Sequence, residues 1–347
     1  MRKQQFLFLC GMIVLGMTAC GKVKKDSVSN KDTSIQVEST EAKDKKESTT
    51  TAEEEKVGQN VKKEKEEQQK IEGEEDREER QEKKTEDQQG TEEGIEQKIE
   101  REEIAFDENQ LYGENSKIHS GKAILYKNIG GKKEQYTVCI NAGHGTQGGE
   151  SERTLCHPDG SPKVTGGSTA KGATTATAIA SGMTFLDGTS ESTVTLKTAK
   201  LLRDRLLEEG YNVLMIREEE DVQLDNIART VLANTYADCH ISLHWDSTET
   251  DKGAFYISVP EGSYREMEPV KSHWEQHERL GSSLIKGLKE SGVKILSSEK
   301  MPIDLTQTSY STIPSVDMEL GDKASDHSTE QLEKIAEGIV KGLESFW

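Results

Sequence analysis

Two histidines and one carboxylate in this sequence stand where metal-dependent hydrolysis would need them. His144 follows an apolar run in Asn141-Ala142-Gly143-His144-Gly145, and the flanking glycines allow a tight turn that leaves the imidazole accessible. His244 closes a second apolar run, Ile241-Ser242-Leu243-His244-Trp245-Asp246. Glu191 opens a helical pattern, and a carboxylate is favoured in the first turn of a helix. Two His and one carboxylate from separate elements would make an open three-ligand zinc site with water in the fourth position. The spacing alone leaves scattered histidines as an alternative, because no His-Glu-x-x-His pattern puts the ligands on one helix.

The elements that would carry these residues are legible as periodicity. Residues 191–209 are apolar at 194, 196, 199, 201, 202, 206 and 207, the spacing of a helix with one buried face, and Gly210 is placed to end it. Further helices are expected at 223–235, 271–290 and 329–346, and strands at 136–141, 211–216, 239–244, 253–259 and 315–320. Strands alternating with helices of this length predict an α/β fold, a mostly parallel twisted sheet flanked by helices. Ligands in such folds gather at the carboxyl ends of strands, where His144 and His244 fall.

The chain has 347 residues and a formal net charge of −19, distributed unevenly. Residues 21–110 contain 18 Lys/Arg, 29 Asp/Glu and a single aromatic, Phe106, too little apolar surface to offset chain entropy. Opposite charges three or four apart predict a disordered or partly helical tether over 20–110, ahead of a lead-in segment at 111–135 and a folded domain at 136–347. One compact domain of full length is thereby excluded. Nucleic acid is excluded as a partner too, since neither part offers a basic patch. At the start, Arg2 and Lys3 precede an apolar run that ends in Met17-Thr18-Ala19-Cys20. Residues 1–19 read as a signal peptide and resemble the lipobox of bacterial lipoproteins, with Cys20 as the lipid-bearing residue. The expected location is the extracytoplasmic face of the cell envelope, held to the membrane through a lipid anchor at Cys20. An ordinary secretory signal is the alternative. Cys139, Cys156 and Cys239 lie outside any CxxC spacing and are expected to be free, with Cys139 and Cys239 as small core residues. A Cys139–Cys239 bridge is the less favoured possibility.

From Tyr136 to Trp347 the sequence resembles the zinc-dependent N-acetylmuramoyl-L-alanine amidases of type 3. The resemblance is carried by VCINAGHG at 138–145, Glu191 ahead of Gly210, GYNVLMIRE at 210–218, LDNIARTVLANTYADCHISLHWD at 224–246, KGAFYIS at 252–258 and IPSVDMELGD at 313–322. It implies that His144, Glu191 and His244 hold Zn2+ and that Glu319, on the late strand, is the catalytic acid/base. The implied reaction is cleavage of the amide between N-acetylmuramic acid and L-alanine in peptidoglycan. A non-catalytic wall-binding lipoprotein and a zinc hydrolase of another envelope amide are the alternatives. This sequence departs from the pattern in a long segment between His144 and Glu191, expected to cover the cleft or shape the substrate groove. It departs again at Asp246, where the family usually has Asn, and at Gly321-Asp322, where Gly is usually followed by an aromatic residue. Of the remaining candidates, His240 is expected to be a satisfied interior or sheet-end histidine, four residues and about 13 Å from His244. His273 and His277 are expected to form a solvent-facing pair on a helix, and His157 to be a loop residue, with substrate contact the less favoured possibility. Arg217 and Arg229 are assigned either to ion pairs with acidic neighbours or to substrate.

Overall fold

The computed structural model describes residues 98–347, so Cys20, the signal segment 1–19 and the tether up to residue 97 lie outside the described residues. The strands are β1 (Lys98–Ala105), β2 (Lys122–Ile129), β3 (Lys133–Ala142), β4 (Arg153–Leu155), β5 (Thr175–Thr177), β6 (Tyr211–Met215), β7 (Cys239–Asp246), β8 (Ala254–Ser258), β9 (Ile295–Pro302) and β10 (Ser315–Asp322). The helices are α1 (Glu191–Glu208), α2 (Asn226–Tyr236), α3 (Val270–Glu290), α4 (Thr306–Tyr310) and α5 (Thr329–Phe346). Eight strands form one sheet in the order β1-β2-β6-β3-β7-β10-β8-β9, while β4 and β5 pair separately. The central run β6-β3-β7-β10 is parallel, and the antiparallel pairings of β2 with β6 and β8 with β10 lie outside it. Among the described residues no helix is long and apolar enough to cross a membrane.

Strand alternation divides the sheet into two different faces. Val138, Ile140 and Ala142 of β3, Cys239, Ile241, Leu243 and Trp245 of β7, and Val316, Met318 and Leu320 of β10 enter one core with α1, α3 and α5. Cys139 turns the other way, into a smaller core with Leu214, Ile216 and the α2 residues Ala228 and Leu232. The cysteines at 139, 156 and 239 are free and buried. Ser190 caps α1 by accepting from Thr193 N, and Gly210 follows the helix with φ +90°, a conformation only glycine adopts without strain.

The sheet begins earlier than the charge pattern suggests. Strand β1 lies inside the stretch assigned to the tether and pairs antiparallel with β2, so the ordered domain includes residues on both sides of the expected boundary at 110. Only Ile104 of β1 is buried. An edge strand of this kind is held by backbone pairing and by cross-strand ion pairs, Glu103 with Lys122 and Glu102 with Lys127, both at 2.7 Å, and needs little apolar patterning of its own. The same reason hides β9, an exposed edge strand whose partner is β8.

Three histidines differ from their expected settings. His240 is fully buried, but neither ring nitrogen has a hydrogen-bond partner. His277 faces inward rather than to solvent, its Nδ1 accepting from Ser315 N at 2.9 Å, while His273 bonds to Pro269 O. His157 is buried against Asp304 and Ser161 rather than exposed on its loop.

Helices α3 and α5 touch through glycine. A Cβ on Gly287 would sit 2.8 Å from Gly342 Cα and closer still to Gly338 O, backbone atoms that cannot rotate away. In an open helix, Gly→Ala would add about 1 kcal/mol of stability. Here Gly287→Ala is expected to destabilise, because forced overpacking costs about 1–3 kcal/mol or more. A melting temperature at or above that of the parent would show that the helices can separate freely. Acid sensitivity follows from the buried imidazoles. Burial, then the charge of Arg229, lowers the His240 pKa to about 3, and burial lowers that of His277 to about 3. Between the unfolded value of about 6.5 and the folded value, only the unfolded chain takes up these protons. Their stabilising contribution is therefore present above about pH 6.5 and lost as pH falls toward 3. Replacing His240 with Leu should shrink the drop in melting temperature between pH 7 and 4.5, and an unchanged drop would exclude this imidazole as a cause.

Candidate metal centre

The three residues singled out by type and spacing meet at the carboxyl ends of adjacent strands. His144 Nε2 lies 2.9 Å from Glu191 Oε1, His244 Nδ1 lies 3.2 Å from the same oxygen, and the two ring nitrogens are 3.0 Å apart. Their rings stand nearly perpendicular, at 86°. Together they form a group of donors able to hold a metal ion.

His144 is held in a demanding backbone position. It has φ 64°, in the left-handed region, two residues past the end of β3. The carbonyls around it are satisfied by two buried arginines. Arg217 donates to Ala142 O at 3.0 Å, Gly143 O at 2.9 Å and Ser192 O at 2.7 Å. Arg229 donates to Asn141 Oδ1 at 2.9 Å, Ala142 O at 3.1 Å and His144 O at 2.7 Å. Both arginines are buried, and among the described residues neither forms an ion pair. Their planar five-donor groups brace the turn that presents His144. Burial lowers the pKa of Arg217 to about 10, and burial followed by the charge of Arg217 lowers that of Arg229 to about 9, so both remain charged at neutral pH.

The long segment between His144 and Glu191 supplies the next contacts. His144 Nδ1 lies 2.8 Å from Ala180 O, a bond that requires the proton on Nδ1 and leaves the Nε2 lone pair facing the site. Met183 N donates to Glu191 Oε2 at 2.8 Å, and from β7 Trp245 N donates to Oε1 at 3.0 Å. The segment is itself anchored by Asp304, which accepts from Val164 N at 2.7 Å, pairs with Lys163 at 3.0 Å and contacts His157 at 3.2 Å and Thr165. The segment thereby orients two candidate ligands.

The site's electrostatics favour positive charge. Burial opposes ionisation of Glu191, but the adjacent His144 and His244 outweigh it and hold the carboxyl well below its usual range. The His244 pKa is raised to about 9 because Asp317 and then Glu191 overcome the opposing effect of burial. On β10, Glu319 stands opposite His244 in the parallel register, and its Oε2 is buried without a partner. Burial, then the charge of Asp317, pushes the Glu319 carboxyl well above its ordinary value.

Several neighbours escaped the motif reading. Asp317, raised mainly by burial, shares the Glu319 face of β10, as two-residue alternation in the expected strand could have revealed. Gly143 and Gly182 had no signal of this kind, since their role is to leave space. A Cβ on Gly143 would lie 2.6 Å from His244 Nε2, and one on Gly182 2.8 Å from His144 Cδ2 and 2.9 Å from Glu191 Oε2. Of the two departures from the family pattern, Asp322 is buried and accepts from Asp251 N and Lys252 N, both at 3.0 Å, so it shapes the loop after β7. Asp246 pairs with Lys252.

Gly143→Ala should displace the His244 ring and weaken zinc binding at least tenfold, the scale on which changes around ligands act. Equilibrium dialysis against a zinc buffer checks this, and parent-like affinity would show that the ring is not confined by Gly143.

No curated protein matches the chain. Solved structures with a similar course include an N-acetylmuramyl-L-alanine amidase from Mycobacterium smegmatis, 20% identical over 61% of this chain and 96% of that one, with a TM-score of 0.49. Another is the corresponding enzyme from Mycobacterium abscessus, 21% identical over 61% and 98%, with a TM-score of 0.47. A third is an N-acetylmuramoyl-L-alanine amidase from Clostridium difficile 630, 17% identical over 61% and 96%, with a TM-score of 0.44. Residues 138–345, which carry the turn of His144, the helix of Glu191 and the strands of His244 and Glu319, match the family profile described as N-acetylmuramoyl-L-alanine amidase, and the chain belongs to that family.

Proposed function

We propose that this domain hydrolyses the amide between N-acetylmuramic acid and L-alanine in peptidoglycan, with His144, Glu191 and His244 holding Zn2+ and Glu319 carrying the proton. One observation carries the metal assignment. With Nδ1 of His144 bonded to Ala180 O, a neutral ring turns its Nε2 lone pair toward a carboxylate oxygen 2.9 Å away, a repulsive contact that a cation between them converts into attraction. Tetrahedral zinc with bonds of about 2.0–2.1 Å needs donors roughly 3.3 Å apart, slightly more than the 2.9, 3.2 and 3.0 Å between these three atoms. Family membership supports the substrate class.

Zinc bound there would supply Lewis-acid polarisation of the scissile carbonyl and acidification of a water molecule. The chain's own residues do the rest. Glu319, whose carboxyl is held above its ordinary value, is suited to accept the proton of the attacking water and return it to the departing alanine nitrogen. Ala180 O and Met183 N keep His144 and Glu191 oriented while this happens. Arg217 and Arg229 keep the His144 turn in place. In the same reading, Cys20 bears the lipid that holds the protein to the extracytoplasmic face of the membrane, a proposal resting on the apolar run and the Met17-Thr18-Ala19-Cys20 sequence.

Mass spectrometry of the material that the purified protein releases from peptidoglycan is the direct test. Free stem peptides beginning with L-alanine are expected. Glu319→Gln should keep stoichiometric zinc and lose about 10²–10⁴-fold in rate. Near-normal turnover in that variant would remove Glu319 from its role. Binding without release would favour a wall-binding protein, and cuts elsewhere a hydrolase of another envelope amide. The intact mass of the mature protein in the same samples reads the N-terminus, and an unmodified Cys20 would rule out the lipid anchor.

A further inference from the structure

Alternation along β10 puts Asp317 on the same face as Glu319, and the register sets it opposite Ser242 while Glu319 stands opposite His244. The Asp317 side chain is 14% exposed, and its Oδ1 is buried without a hydrogen-bond partner. Its Oδ2 lies 3.8 Å from His244 Nε2. The other ring nitrogen, Nδ1, is the one that meets His144 Nε2 and Glu191 Oε1.

A neutral imidazole that offers Nδ1 to a metal must carry its proton on Nε2, and that proton needs an acceptor. The His244 ring lies against the backbone of Gly143, which limits its displacement but does not choose its tautomer. A carboxylate on the Nε2 side does choose it. Among the described residues no other hydrogen bond competes for the Asp317 Oδ1, so the carboxylate is free to take that proton.

Resting on the zinc reading above, we propose that Asp317 is the positioning residue of His244. Its carboxylate receives the Nε2 proton, directly after a small ring rotation or through one water, and so fixes the tautomer that presents Nδ1 to the metal and strengthens that nitrogen as a donor. This separates the two acidic residues of β10 by task. Glu319 handles the proton of the reaction, while Asp317 acts only through His244.

The test is Zn2+ affinity of the purified protein by competition with a chromophoric chelator, together with the visible spectrum of the Co2+-loaded form. Asp317→Ala should weaken Zn2+ by about 10–100-fold and shift the Co2+ bands. Asp317→Asn, of the same shape and with an acceptor oxygen but no charge, should fall between Ala and the parent, and it gives the reading if the Ala variant fails to fold. Zn2+ affinities of the folded variants within about twofold of the parent, even with turnover lost, would overturn the proposal. A parent that binds no Zn2+ would instead overturn the metal reading on which it rests, so the two failures are distinguishable.

Discussion

The peptide carbonyls at the end of β3 leave the regular sheet in the protein interior, where a polar group without a partner is costly. Ala142, Gly143 and His144 all face that constraint, and the two guanidiniums of Arg217 and Arg229 answer it. Without those donors the left-handed position of His144 would have little to hold it. The arrangement brings two cations close together in a buried place, and the lowered pKa of Arg229 registers that tension. Stability is given up locally so that one imidazole is presented at a fixed angle, a trade common around functional sites.

The parallel strands next to that turn extend the same logic. One face of β7 and β10 is apolar and packs on α1, α3 and α5, which gives the sheet its cohesion. On the opposite face of the same strands stand Ser242, His244, Asp317 and Glu319. Lower down, Ser242 bonds to Asn141 and Gln307, and Gln307 bonds to Ser315, so β3, β7 and β10 are cross-linked by polar contacts beneath the site. The side chains of the candidate site thus stand on a stiff support whose other face is a hydrophobic core. Rigid elements hold such groups better than loops do.

The segment between His144 and Glu191 breaks that pattern, because a loop supplies Ala180 O, Met183 N and the open space at Gly182. It can do so because Asp304 gathers several of its donors, with Tyr264 packed beside His157. A buried, ionised carboxylate surrounded by donors is stable only with all of them in place, since a missing partner leaves a desolvated charge. The loop's order therefore depends on a residue far along the chain, and the orientation of two candidate ligands depends on the loop.

Periodicity alone placed the alternating strands and helices, the helix stop at Gly210 and the carboxyl-end positions of His144 and His244, because burial of one face repeats at a fixed interval along a chain. The α/β class and the residues 144, 191 and 244 as candidates were legible for that reason. Edge strands β1 and β9 were not, since they are held by backbone pairing with a neighbour and carry no such interval. Charge density over 98–105 even pointed the other way. The sequence could not say that His277 faces inward, that His240 lacks partners, or that Arg217 and Arg229 serve carbonyls rather than carboxylates. Nor could it bring Asp317 beside His244 or empty the space at Gly143 and Gly182. Those are contacts between residues tens to more than a hundred positions apart, and only the packing of one element on another decides which of them meet.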